Sequence, residues 1–335
     1  MLTTARFLRR ATSVLGASVR AACAAAILAP GATLAQSNYP DKPIKMIVPF
    51  VPGGSNDNIS RPLGQAMSVR LKVPVVIENR GGAGGTIGTD AVAKAAPDGY
   101  TLLFISASIS TNNAAGKKLP YDTYRDLEPI ARIGSTALVI LVNPKVPVRN
   151  FREYVEYSRT HANKFNYGTA GVGGYQHLAT ELLHQAAGVK ATHIPYKGVG
   201  PAFADLISGE LQMILASLPS ATQHIQAGTF RAIAVTTKNR STLAPDIPGM
   251  EEAGLKDFNL DGWWSVFGPG GLPKPIATRL YDTIAAIMAT PEFKNQLERE
   301  GATPVLGTPD ELAALVRSET ARWQKVIKES NIKVE

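Results

Sequence analysis

Apolar positions along the chain follow two alternating rhythms. Short β-rich runs lie at residues 44–50, 73–78 and 100–105, and between them apolar residues recur about four apart, as at Ile59, Leu63, Met67 and Leu71. The runs predict buried strands, and the four-residue spacing predicts helices over residues 57–71 and about 85–96. Residues 130–133 and 137–142 read as two further strands, the second broken by Asn143-Pro144. The same grammar then resumes. Helices are expected at 150–161, at 175–187 and from Gly200-Pro201 onward, with strands at 165–167, 192–196, 211–216 and 230–236. Residues 260–267 return the chain to the first region, and helices at 274–288 and 309–329 close it.

Strands alternating with helices imply βαβ units. The expected fold is α/β, with two domains that each carry a mainly parallel sheet flanked by helices. Two crossings, near 141/142 and 260/261, divide the chain into 36–141 plus 261–335 as one domain and 142–260 as the other. Two crossover strands give the geometry of a protein that closes on a ligand.

Two interruptions stand out. Pro52-Gly53-Gly54-Ser55-Asn56-Asp57 follows the first strand, and Gly168-Thr169-Ala170-Gly171-Val172-Gly173-Gly174 follows the strand at 165–167. Each joins a strand to a helix start, where unpaired N–H groups and the positive end of the macrodipole suit an anion. The alternative for each is a tight turn whose glycines meet only backbone demands. Ser55 and Asp57 are also good helix caps. A facing pair of such turns would hold a ligand with carboxylate groups, with hydroxyls from Ser55 and Thr169 assisting. Asp205 either lies on a solvated helix face or accepts a hydrogen bond from the ligand.

Composition narrows the class. The first 35 residues carry Arg6, Arg9 and Arg10, a short apolar stretch and Thr33-Leu34-Ala35 before Gln36, the pattern of an export signal. Its removal would take away the single cysteine, Cys23, and four arginines, lowering the formal charge from +8 to +4. A periplasmic protein without disulfides is expected. No basic cluster with interleaved aromatics suggests nucleic acid. Neither turn has the Lys-Ser/Thr of a phosphate loop, the third glycine of a dinucleotide fingerprint is missing, and no Gly-x-Ser-x-Gly elbow occurs. His177, Glu181 and His184 share a helix spacing that a metal might use, yet no metal motif supports it. The expectation is no catalytic residue, no metal and no cofactor.

The chain resembles the substrate-binding proteins of the tripartite tricarboxylate transporters, the Bug family. The resemblance rests on Pro52-Gly53-Gly54 with Asp57 and Arg61, on Glu78-Asn79-Arg80 followed by Gly84-Gly85 and Gly88, and on Pro97-Asp98-Gly99-Tyr100. It continues through Leu119-Pro120-Tyr121-Asp122, Tyr167-Gly168-Thr169-Ala170-Gly171 with His177-Leu178, Pro195-Tyr196-Lys197-Gly198, and Asp205-Leu206. It implies a type II periplasmic binding protein, of the Venus-flytrap kind, that captures an organic acid (mono-, di- or aromatic) and delivers it to membrane permease subunits. The implied ligand residues are Gly53, Gly54, Ser55, Asp57, Thr169, Ala170, Gly171 and Val172, with Ser106 and Asp205 nearer the variable end. A monomer is expected. A sensor presenting its ligand to a membrane kinase, or an enzyme on an anionic substrate, are the competing readings. Asn112-Asn113-Ala114-Ala115 departs from the family's usual Asn-Pro pair.

Overall fold

The computed structural model describes residues 39–116, 118–329 and 332, without the side chain of Asn163. The expected export signal lies outside the described residues. Two compact units divide the chain at Asp41/Lys42. Of the first only Tyr39 to Asp41 are described, and every element named below belongs to the second.

Strands β1 (Ile44–Val48), β2 (Val75–Asn79) and β3 (Thr101–Ser106) form a parallel trio in the order β2-β1-β3. Helix α1 (Ser55–Leu71) crosses from β1 to β2, burying Ile59, Leu63 and Met67 completely. It packs closely, since a Cβ on Gly64 would stand 2.9 Å from Ile77 Cδ1. Helices α2 (Thr86–Ala93) and α3 (Ser108–Ala114) flank β3.

A second parallel trio lies at the other end of the sheet. It consists of β5 (Asn166–Thr169), β6 (Thr192–Pro195) and β7 (Met213–Ser217), in the order β7-β5-β6. Helices α4 (Phe151–Thr160), α5 (Tyr175–Ala187), α6 (Val199–Ser208) and α7 (Leu218–Gln226) accompany it.

Antiparallel strands join the trios, so the sheet is mixed where mainly parallel pairing was expected. The stretches read as separate strands at 130–133 and 137–142 are one 16-residue strand, β4 (Leu127–Val142). Its first part pairs with β9 (Asp261–Pro269) and β10 (Thr303–Gly307); from Leu138 it pairs with β7 and β8 (Arg231–Val235). Strand β9 in turn pairs with β3, which makes one sheet of ten strands. Helices α8 (Lys274–Met288), α9 (Pro291–Arg299) and α10 (Pro309–Glu329) complete the unit. No helix among the described residues is long and apolar enough to cross a membrane.

Candidate ligand-binding site

The first Gly-rich turn leaves β1 and enters α1 with Gly54 as N-cap and no side-chain cap. Gly53 adopts φ 86°, a conformation glycine reaches without strain. An ion pair with a buried carboxylate and a half-exposed guanidinium fixes the shape. Asp57 accepts from the Gly53 N–H at 3.2 Å, from Arg61 Nε at 3.0 Å and Nη2 at 2.7 Å, and from Asn79 Nδ2 at 3.0 Å. Asn79 Nδ2 also donates to the Phe50 carbonyl at 3.1 Å. Burial would raise the Asp57 pKa, but hydrogen bonds from Arg61, Asn79 and Gly53, with the Arg61 charge, bring it below the usual value. The Pro52–Asp57, Arg61 and Glu78–Arg80 motifs of the sequence therefore form one connected bracket.

The second turn leaves β5 and enters α5 with Gly174 as N-cap, again without a side-chain cap. Gly171 and Gly173 have φ 141° and 72°, both in the region that favours glycine. The Thr169 hydroxyl sits 2.6 Å from His193 Nε2 and bonds the Gly171 carbonyl and N–H at 3.2 and 3.4 Å. The Gly173 N–H donates to His177 Nδ1 at 2.9 Å.

Two more helices begin beside these turns. Gly198 precedes α6 and Ser217 precedes α7, and neither helix start carries a side-chain cap. Elsewhere, α4 and α9 are capped by the side chains of Asn150 and Thr290, whereas α2, α3 and α8 carry no side-chain cap. The starts of α1, α3, α5, α6 and α7 all reach one cavity of about 830 Å³, counting the space at its mouth. Each such terminus acts as roughly half a positive charge. Among the described residues no acidic or basic side chain lines the cavity.

Gly54, Ser55, Ser106, Ala170 and Gly171, all expected at the site, line this cavity. Gly53, Asp57, Thr169, Val172 and Asp205 do not. Gly53, Asp57 and Thr169 hold the turns from behind. Val172 instead lines a small neighbouring pocket with Gly173, Ala83 and Thr86. Asp205 accepts from the Tyr196 hydroxyl at 2.5 Å; burial and that bond push the Tyr196 pKa up to about 12.

Sequence reasoning missed much of the wall: Asn56, Tyr175, Gln176, Val199, Trp263 and Trp264 among others. Asn56 Oδ1, Gln176 Oε1 and the Nε1 groups of both tryptophans are buried without a partner, and all four residues line this cavity. Buried orphans are costly and point to a missing hydrogen-bonding ligand or water. Asn56 Nδ2 lies 3.4 Å from Ser106 Oγ, which meets Ser108 Oγ at 3.2 Å. Asn112, in the stretch that departs from the family pattern, donates to the carbonyl of the lining residue Gly84 at 2.9 Å.

The two ends of the sheet meet across the cavity. A Cβ added to Gly198 would come 2.5 Å from Val51 Cγ2. The Tyr175 hydroxyl donates to the Asp261 carbonyl at 2.5 Å, and its ring meets Trp323 edge-on at 5.5 Å.

His177, Glu181 and His184 do not converge on one point. Gly173 and His193 engage His177, Tyr167 donates to Glu181, and Tyr154 Oη lies 2.6 Å from His184 Nε2. Among the described residues no group of three acidic, histidine or cysteine side chains could hold a metal.

Comparison with known proteins agrees with this geometry. The family model described as "Tripartite tricarboxylate transporter family receptor" matches residues 59–332. Protein BugT of Bordetella pertussis is 36% identical over 305 residues, covering 90% of this chain and 94% of BugT. The structure of the periplasmic binding protein BugD superposes with a TM-score of 0.84 at 36% identity, covering 88% of this chain and 99% of BugD. Rpa4515 of R. palustris, solved with adipate, gives a TM-score of 0.85 at 32% identity, with coverage of 88% and 99%. These relatives share the α/β binding-protein fold, and the family is one of receptors rather than enzymes. The chain belongs to the tripartite tricarboxylate transporter receptor family.

Proposed function

We propose that this protein captures a small organic carboxylate in the periplasm and presents it to the permease subunits of a tripartite tricarboxylate-type transporter. One observation carries the reading: five helix N-termini without side-chain caps, the fifth on the short helix α3, reach one cavity that has no acidic or basic side chain among the described residues. Backbone N–H groups then do the work that lysine or arginine does elsewhere. Together these termini amount to roughly two positive charges or more, which favours a dicarboxylate over a singly charged acid. The adipate bound to Rpa4515 is of that class.

The contact of Val51 with Gly198 supports a closed arrangement of two domains, 36–141 with 261–335 and 142–260, around the ligand. The basic and apolar pattern of residues 1–35 supports export, and the periplasmic setting of BugD supports the compartment. A thermal-shift series with adipate, malate, benzoate and citrate at neutral pH tests the proposal. A ligand present at about 1,000 times its Kd stabilises the folded state by roughly 4 kcal/mol, enough to raise Tm clearly. Unchanged Tm across the whole series at millimolar acid would contradict it.

A further inference from the structure

Behind the second turn, on the side away from the cavity, lies a layer of aromatic and histidine side chains. His177 of α5 and His193 of β6 stack face to face, with ring centroids 3.8 Å apart and planes 12° from parallel. Tyr167 of β5 stacks on His193 at 5.0 Å. The titratable groups packed around the pair are Tyr167, Glu181, which accepts from Tyr167, His184, edge-on to Tyr167, and Tyr154, bonded to His184.

Each ring grips a different part of the turn. His193 Nε2 reaches the Thr169 hydroxyl, and that hydroxyl fixes both polar groups of the Gly171 backbone. His177 Nδ1 accepts the Gly173 N–H, so that nitrogen carries no proton. Gly171 and Gly174, on either side of Gly173, line the cavity. Glycines at φ 141° and 72° have wide conformational freedom, so outside contacts must select one shape.

We propose that His177 and His193 are positioning residues that set the second turn, acting as a neutral stacked pair that orients the Gly171–Gly174 backbone toward the ligand. That this backbone binds a carboxylate rests on the function proposed above; that the pair shapes the turn does not. A proton on His177 Nδ1 would replace the acceptor by a donor facing the Gly173 N–H, and would place charge against the neighbouring ring. Burial, with His177 alongside, already pushes the His193 pKa down to about 3.

Amide hydrogen exchange over residues 169–174 tests the pair, in the full chain without added ligand. His177→Ala should lower protection of this segment about tenfold, the scale of one net hydrogen bond. His177→Asn, whose Oδ1 can occupy the Nδ1 position, should recover most of it. His193→Gln should likewise exceed His193→Ala. Protection in His177→Ala equal to wild type would overturn the inference. So would equal loss in His177→Asn, which would mean that only ring packing matters. If the alanine variants fail to fold, the asparagine and glutamine variants decide alone: protection near wild type supports the pair and a loss of about tenfold overturns it. Calorimetric titration of the wild type with adipate and malate runs in parallel. Absence of any heat there would count against the proposed function and leave the exchange result to judge the pair.

Discussion

The two Gly-rich turns present the same groups to the cavity but are held by opposite chemistry. The first is braced by charge: Asp57, 6% exposed in its side chain, is gripped by the half-exposed Arg61, by Asn79 and by its own turn. The second is braced by neutral rings and a hydroxyl, His177, His193 and Thr169. Backbone N–H groups cannot be aimed by their own side chains, so each turn needs a scaffold behind it, and any rigid polar scaffold serves. Residues that look like ligand contacts by type, Asp57 and Thr169, are that scaffold. The residues on the cavity are mostly glycine, alanine, serine and amide side chains.

The largest expected effect separates the two scaffolds by acid. His184 and His193 are held neutral, with burial pushing both pKa values down to about 3. A depressed histidine pKa contributes stability that is fully present above its unfolded value near 6.5 and is lost as pH falls toward 3. Asp57, also depressed, contributes stability above its ordinary value of 3.8 and loses it only below. Urea unfolding should therefore show roughly 3 kcal/mol lost between pH 7 and 5. His184→Gln with His193→Gln should flatten that slope, while Asp57→Asn should not. A slope unchanged by the double histidine variant would break the contrast.

Next in size, Asp57→Ala removes the first scaffold outright and leaves the Gly53 N–H and Asn79 without their acceptor. With Arg61 half in water, the expected cost is about 2 kcal/mol of stability, with weaker ligand binding as a consequence. From residue type alone, Asp57 and Asp205 would be expected to affect binding more than folding. The hydrogen bonds that Asp57 accepts lead us to expect the opposite order at that residue. Denaturant unfolding of the variant beside its ligand titration checks the order, and unchanged stability with lost binding would restore the contact role.

The smallest effects sharpen the boundary of the site. Ser55→Ala removes a hydroxyl that lines the cavity without capping α1, so affinity should fall about three- to tenfold with Tm unmoved. Asp205→Ala, outside the cavity, should change affinity by less than about twofold while releasing the Tyr196 hydroxyl. Calorimetry on the two variants side by side reads both. A larger loss in Asp205→Ala than in Ser55→Ala would move the site toward α6.

Much of this was legible in the sequence, for a physical reason. Ile59, Leu63 and Met67, four apart, announce α1, and the two Gly-rich turns announce helix starts that need unusual backbone. Other elements hide. Helix α3, Ser108-Ile-Ser-Thr-Asn-Asn-Ala, buries polar side chains and so shows no apolar period. Helices α7 and α9 are short, and β10 is a brief strand added to the side of β4. Strand β4 reads as two because Gly134-Ser135-Thr136 interrupts its apolar run just before it changes partners. At the site, Asn56 and Gln176 follow N-caps and could have been inferred from helix phase. Trp263 and Trp264 belong to the core as well as to the wall, at 2% and 1% exposure. A donor supplied by backbone leaves no letter in the sequence, so the pairing of turns was readable and the wall between them was not.

A crystal structure of the mature chain grown with adipate tests the central claim most directly. The account predicts a carboxylate in this cavity accepting from backbone N–H groups at the starts of α1 and α5, near Ser55 and Gln176, with no lysine or arginine in contact. A carboxylate paired instead with a basic side chain outside this cavity, or saturating adipate binding with the cavity unfilled, would contradict it.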